Sequence, residues 1–142
     1  MTITWRAEMS VGDTFIDEDH RHLIEIVNLY EQAVKNRDPQ KLEECFEELM
    51  HYAAEHFARE ERVMAAIDYP ELAHHAESHK RLAKTITDIH EAVASGKKGV
   101  IKLSQINTIL HDWIVDHILK EDMALKPYLA RANSREEDRV LI

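Results

Sequence analysis

The chain has 142 residues, 44% hydrophobic and 32% charged, with a formal net charge of −9. That length suits one domain able to bury a substantial core, and the acidic balance disfavours a nucleic-acid or anionic-membrane surface. No apolar run is long enough to span a bilayer, and the N-terminus lacks the basic start and apolar middle of a secretory signal, so cytoplasmic residence is the expectation.

Four stretches space their apolar residues three and four apart, the mark of one buried helix face. An arm over residues 1–16 comes first and carries Trp5, Val11 and Phe15. The first helix is expected to begin at Asp17 or Asp19, where acidic residues suit the helix dipole, and to run to Lys35. Its stripe is Ile16, His20, Leu23, Val27, Tyr30 and Val34. Asn36-Arg37-Asp38-Pro39 reads as a turn, with Asp38 capping the second helix and Pro39 opening it. That helix runs to Ile67 along Leu42, Phe46, Leu49, Ala53, His56, Glu60, Val63 and Ile67. Asp68-Tyr69-Pro70 repeats the cap-and-proline device and opens the third helix, striped by Leu72, His75, His79, Leu82, Ile86, Ile89 and Val93. Ser95-Gly96-Lys97-Lys98-Gly99 is the one flexible-looking loop. The fourth helix spans Val100 to Asp122 along Leu103, Ile106, Leu110, Trp113 and His117. Lys126-Pro127 breaks the pattern, and residues 131–142 form a short charged tail without clear period. The expected fold is all-α: an antiparallel up-down-up-down four-helix bundle over residues 17–130, in a single domain spanning 1–142. The single cysteine, Cys45, neighbours the second stripe and reads as a buried structural thiol.

Helical periodicity divides the ten histidines in half. His20, His56, His75, His79 and His117 continue the apolar stripes, and Glu60 joins them. His22, His51, His74, His90 and His111 fall off them. Five imidazoles and a carboxylate turned into one core are costly to desolvate. In an up-down-up-down bundle the starts of the first and third helices lie at the same end as the finishes of the second and fourth. All six groups therefore fall in one layer. His56 with Glu60 and His75 with His79 are i,i+4 pairs, which share a helix face and can grip one metal or bridge two. Imidazole with carboxylate suits iron, zinc, copper or nickel, and the number of ligands exceeds the four of a single zinc. A two-metal centre fits the count. Ferritin-like di-iron bundles use paired Glu-x-x-His motifs instead. Glu48 with His51 and Glu71 with His74 have that spacing, but all four miss the stripes and read as solvent-facing.

These residues resemble those of the hemerythrin family, in its single-domain bacterial form. The matching segments are Ile16-Asp17-Glu18-Asp19-His20, His56-Phe57-Ala58-Arg59-Glu60-Glu61, His75-Ala76-Glu77-Ser78-His79, and Trp113-Ile114-Val115-Asp116-His117 followed by Asp122. Trp5 with Val11-Gly12 is similar to the family's N-terminal arm, so the likeness covers residues 5–129. It implies a non-haem centre of two iron ions, cycling between Fe2+ and Fe3+ and bridged by an oxo or hydroxo group. One iron would take His75, His79 and His117, the other His20 and His56, with Glu60 and Asp122 bridging. Six-coordinate ions of this kind leave one position open, on the iron with two histidines, where the family binds dioxygen reversibly. The pocket walls would be Leu23, Phe57, Trp113, Ile114 and Ile118, which read equally as plain core. Periodicity alone would choose Glu121, at i+4 from His117, over Asp122, at i+5. Asp122 needs a local one-turn bulge in the helix.

The expected function is thus reversible dioxygen binding for storage, delivery or scavenging. No general base or activated nucleophile stands near the layer, which favours binding over turnover. The alternatives are an oxygen or redox sensor acting through a protein partner, an oxidase-type or nitric-oxide-handling enzyme, and an iron store.

Overall fold

The computed structural model describes residues 2–94 and 103–140, leaving aside the side chains at 93, 94, 103, 104, 118, 119 and 134–140. Five α-helices carry the described chain: α1 (Thr14–Lys35), α2 (Pro39–Ala66), α3 (Leu72–Ala94), α4 (Leu103–Asp116) and α5 (Lys126–Val140). A π-helical turn (His117–Glu121) and a 3-10 turn (Asp122–Leu125) join α4 to α5. The first four helices form the antiparallel up-down-up-down bundle, α1 packing on α2 and α4, and α2 on α3. The expected loop Ser95–Gly99 and the expected helix start at Val100 lie outside the described residues, as do the side chains of Val93, Leu103 and Ile118.

Capping explains where the helices start. Asp13 accepts a hydrogen bond from the Ile16 amide, so α1 begins at Thr14 and not at Asp17. The Asp17 carboxylate is engaged elsewhere: it accepts from the Ser10 hydroxyl and the Val11 amide and so holds the arm. Gly12, at φ +88°, turns the chain between Val11 and that cap, a conformation glycine adopts without strain. Asp38 caps α2 as expected, accepting from the Lys41 amide, with Pro39 in the first turn. Asp68 differs. It sits at φ +53° and closes α2: its amide bonds to the Ala65 carbonyl and that of Tyr69 to the Met64 carbonyl. This is a Schellman closure, and Arg37 occupies the equivalent place at the end of α1. Asp68 therefore does not cap α3, which starts later, at Leu72.

The second difference is at the C-terminus. Lys126–Val140 form helix α5, where a break at Lys126-Pro127 and a short charged tail without clear period were expected. Proline is tolerated in a first turn because its missing N–H would have no partner there. Leu129 of α5 is buried with Leu125, Val11, Ile16, Met64 and Tyr69 in an apolar cluster at one end of the bundle. The larger cluster fills the remaining length and includes Tyr30, Phe46, Leu49, Ile106 and Leu110. Cys45 lies in it as a free thiol, and burial pushes its pKa up. No helix among the described residues is long and apolar enough to cross a membrane.

The arm is tied to α1 by more than apolar contact. The Asn28 side chain accepts from the Ile3 amide and donates to the Ile3 carbonyl, at 2.9 and 2.8 Å. The Arg21 guanidinium lies over the Trp5 ring, 4.9 Å from its centre.

Candidate metal centre

A polar layer separates the two apolar clusters. Ile16, Met64 and Leu125 lie one turn to one side of His20, Glu60 and Asp122. Leu23, Ala53 and Ile114 lie one turn to the other side of His20, His56 and His117. The structure brings seven sequence-identified residues together here: His20 from α1, His56 and Glu60 from α2, His75 and His79 from α3, His117 from the π turn and Asp122 from the 3-10 turn. None is more than 4% exposed.

The two carboxylates stand at the middle of the layer. Glu60 divides its oxygens between two sides: Oε1 lies 2.5 Å from His75 Nε2 and 3.3 Å from His79 Nε2, while Oε2 lies 3.2 Å from His56 Nε2. Asp122 Oδ1 is 3.0 Å from His75 Nε2, and Oδ2 is 2.6 Å from His20 Nε2 and 3.1 Å from His117 Nε2. Two overlapping groups can each hold a cation: Glu60, His75, His79, His117 and Asp122 in one, and His20, His56, Glu60 and Asp122 in the other. Glu60 and Asp122 belong to both, which is the arrangement of bridging groups.

Asp122 reaches this layer because of the π turn. Its amide bonds to the His117 carbonyl, so the extra residue brings Asp122 round to the His117 face. Glu121 is left on the outer side of that ring, 40% exposed.

The electrostatics call for positive charge. Desolvation and the nearby Asp122 push Glu60 up, but the imidazoles of His56, His75 and His79 close against it outweigh both and hold it at about 2. Desolvation also pushes Asp122 up, yet the His117 charge and contacts from His117, His20 and His56 carry it well below the carboxylate range. The imidazoles respond in kind. Burial pulls His75 and His117 down, but the two carboxylates raise them to about 10 and about 9. His56 is likewise carried well above its usual value, against burial, by Asp122, Asp19 and Glu60. Without a metal, protons must supply the positive charge that these two buried anions require.

The donor set fits metal cations better than protons. Both Glu60 oxygens, Asp122 Oδ1 and the Nε2 atoms of His56, His75, His79 and His117 are buried without a hydrogen-bond partner among the described residues. Such a concentration of unsatisfied buried polar atoms is foreign to a stable protein core. Imidazole nitrogens and carboxylate oxygens converging on two overlapping points are ligands for first-row divalent metals.

The expected pocket walls flank this layer. Leu23, Phe57, Trp113 and Ile114 are all buried in the larger apolar cluster. The Phe57 ring stacks on His79 at 4.2 Å, and the Trp113 plane is within 4° of that of His117. The off-stripe histidines are elsewhere: His51 pairs with Glu55, and His90 with Glu43, 2.7 Å away. Glu71 and His74 are exposed, but they line a recess of about 150 Å³ with Tyr69, His75 and Glu121. Periodicity missed two carboxylates that flank the outer edges of the histidines, Asp19 and Glu61, and it placed a third, Glu121, inside the layer where the structure puts Asp122. Asp19 and Glu61 are off the stripe, and each directly adjoins a residue of the layer, which is the signal that could have found them.

Fold and site together define a class: a four-helix bundle with a buried cluster of histidines and carboxylates that could hold metal cations. The family described as "Hemerythrin HHE cation binding domain" matches residues 11–129. The chain is 27% identical to the bacteriohemerythrin of Stenotrophomonas maltophilia over 122 residues, covering 86% of this chain and 78% of that one. It is 30% identical to the bacteriohemerythrin of Campylobacter jejuni over 124 residues, covering 84% and 90%. A crystal structure of wild-type hemerythrin superimposes with a TM-score of 0.81 at 25% identity, covering 91% of this chain and 98% of that one. The chain belongs to the hemerythrin family.

Proposed function

We propose that this chain holds two iron ions in the buried layer and uses them to bind dioxygen reversibly. The carrying observation is the sharing of Glu60 and Asp122 between two buried ligand groups, one with three histidines and one with two. His75, His79 and His117 would hold one iron, His20 and His56 the other, and Glu60 and Asp122 would bridge them. When bound, the iron pair would supply the redox chemistry by which dioxygen is taken up and released.

The chain's own residues account for binding without turnover. His56 and His75 present Nε2 to the centre from opposite sides of Glu60, which fixes the separation of the two positions. Phe57 and Trp113 lie against the rings of His79 and His117 and hold them in plane. Leu23 and Ile114, each 1% exposed, keep water from the approach to the centre. A dry wall denies a proton to whatever binds there, so release as dioxygen is favoured over reduction.

The test is a visible spectrum with a parallel iron assay. The protein is reduced under nitrogen, exposed to air and then deoxygenated. Two irons per chain, with a charge-transfer band that forms in air and fades on oxygen removal, is the expected result. Two irons that oxidise at once without a reversible band would move the reading to oxidase or redox-sensing chemistry. Many irons per chain would indicate storage, and none would end the reading.

A further inference from the structure

Three segments of the site place two acidic or ligating residues side by side: Asp19-His20, Glu60-Glu61 and Glu121-Asp122. Neighbours on a helix point about 100° apart. One member of each pair therefore enters the layer, and the other stands on its flank, beside a histidine. Asp19 Oδ2 lies 3.3 Å from Nδ1 of His56. Glu61 Oε2 lies 3.4 Å from Nδ1 of His79. Glu121 Oε2 lies 3.4 Å from Nδ1 of His117. In all three rings the opposite nitrogen, Nε2, lies within 3.4 Å of Glu60 or Asp122. Each imidazole is thus held between an inner and an outer carboxylate. Of the three outer contacts only that of Asp19 with His56 has hydrogen-bond geometry; His79 Nδ1, His117 Nδ1 and Glu121 Oε2 make no hydrogen bond among the described residues, so the contacts of Glu61 and Glu121 are electrostatic.

We infer that Asp19, Glu61 and Glu121 are positioning residues, an outer set of carboxylates whose charge beside Nδ1 of His56, His79 and His117 keeps the proton on that nitrogen and so presents their Nε2 lone pairs to the metals. The inference rests on the two-iron reading above. An imidazole can carry its single proton on either nitrogen, and only the Nδ1–H tautomer leaves Nε2 free to ligate. An outer carboxylate selects that tautomer, fixes the ring plane and raises the basicity of the ligating nitrogen.

The set is uneven. Asp19 also receives the Arg59 guanidinium, with Nε at 3.0 Å, which offsets much of its charge. Glu61 and Glu121 both serve histidines of the three-histidine group. The metal in that group therefore sits in the more negative surroundings, and its affinity depends more strongly on the outer carboxylates.

The chain of residues 1–142 loaded with Zn(II) tests this without any oxygen chemistry, since the donor set suits that ion and the loaded protein is diamagnetic. Zinc affinity is measured by chelator competition, and the imidazole Nδ1–H signals by NMR of the ¹⁵N-labelled protein. Glu61→Ala and Glu121→Ala are each expected to weaken binding at one of two zinc sites by about 10- to 100-fold. Glu61→Gln and Glu121→Gln keep an acceptor without its charge and are expected to recover part of that loss. Asp19→Asn is expected to have the smallest effect. Each variant should shift only its own imidazole signal: His79 for Glu61, His117 for Glu121 and His56 for Asp19. A purely structural role would not move single ring signals in this way. The three carboxylates are partly exposed, and far-UV circular dichroism confirms that each variant keeps its helices. Two zinc ions bound by all variants with unchanged affinity and unshifted ring signals would overturn the inference while leaving the two-metal reading intact. A wild-type chain that takes up neither zinc nor iron would overturn both.

Discussion

The amide of Asp122 bonds to the carbonyl of His117, five residues back instead of four. That one bond decides which of two consecutive carboxylates enters the site. Asp122 Oδ2 comes to 3.1 Å from His117 Nε2, and Glu121 Oε2 stays at 3.4 Å from Nδ1 on the other edge of the same ring. An ordinary helix would put Glu121 on the His117 face. The inserted residue costs regular hydrogen bonding locally, and such turns are found mostly where function requires them.

The first prediction separates those two residues. Asp122→Ala removes one of two shared carboxylates and leaves His20, His75 and His117 facing an empty corner. It is expected to abolish stoichiometric iron. Glu121→Ala is expected to retain two irons per chain, held more weakly. An iron assay after desalting reads both, and the reverse order would sink the assignment of Asp122 as a bridging ligand.

Much of this was legible in the sequence because ligands and core share a geometry. His20, His56, Glu60, His75, His79 and His117 replace apolar residues in otherwise regular stripes, so the periodicity that locates each helix also points them inward. Asp122 was legible only through the family likeness, since a π turn breaks the periodicity that would reveal it. Asp68 misled because Asp-x-Pro suits both an N-cap and a left-handed closure, and the choice depends on the tertiary contact of Tyr69 with Met64. Helix α5 escaped notice because few of its residues are apolar. Leu129 buries itself against the bundle end with Tyr128 half-buried beside it, while Lys126, Pro127, Ala130 and Arg131 stay exposed, which leaves too short a stripe to read.

The arm offers a test of stability independent of metal. Asn28 satisfies both backbone groups of Ile3, taking the place of a neighbouring strand. Asn28→Ala removes both hydrogen bonds and frees the arm that covers the core through Ile3 and Trp5. The expected loss is about 1–3 kcal/mol, at the usual net worth of such bonds. Chemical denaturation of the metal-free protein measures it. Iron stoichiometry should not change, because Asn28 lies two turns from His20.

The third prediction concerns pH. In the metal-free chain His75 and His117 titrate at about 10 and about 9, against an unfolded value near ~6.5. Their contribution to stability is complete below ~6.5 and is lost as pH rises through those folded values. Glu60, held at about 2, contributes above its unfolded value of ~4.3 and loses that only in strong acid. The metal-free protein should therefore be most stable between about pH 4.5 and 6.5 and weaken towards pH 10. Iron reverses the trend, because it competes with protons for the same nitrogens and its stabilisation grows as they depart. The difference in Tm between loaded and metal-free protein is expected to widen from pH 6 to pH 9. A gap that narrows over that range would contradict the assignment of His75 and His117 as ligands.

The dry wall can be tested at Ile114. This side chain is 1% exposed, lies one helical turn before His117 and belongs to the larger apolar cluster. Ile114→Thr keeps the branch at Cβ, removes the terminal methyl and introduces a hydroxyl. The hydroxyl can donate a proton and can hold a water molecule in a place that otherwise offers neither. Stability should fall by about 1–3 kcal/mol, the usual penalty of an unpaired buried polar group. The colour formed in air should decay at least severalfold faster, with hydrogen peroxide appearing in the medium, while iron content stays at two per chain. Ile114→Val is the control. It makes a comparable small void without the hydroxyl, so faster decay in both variants would trace the effect to packing and remove the case for exclusion of water. Faster decay in the threonine variant alone would locate the protection of bound dioxygen in the apolar surface of this single turn of α4.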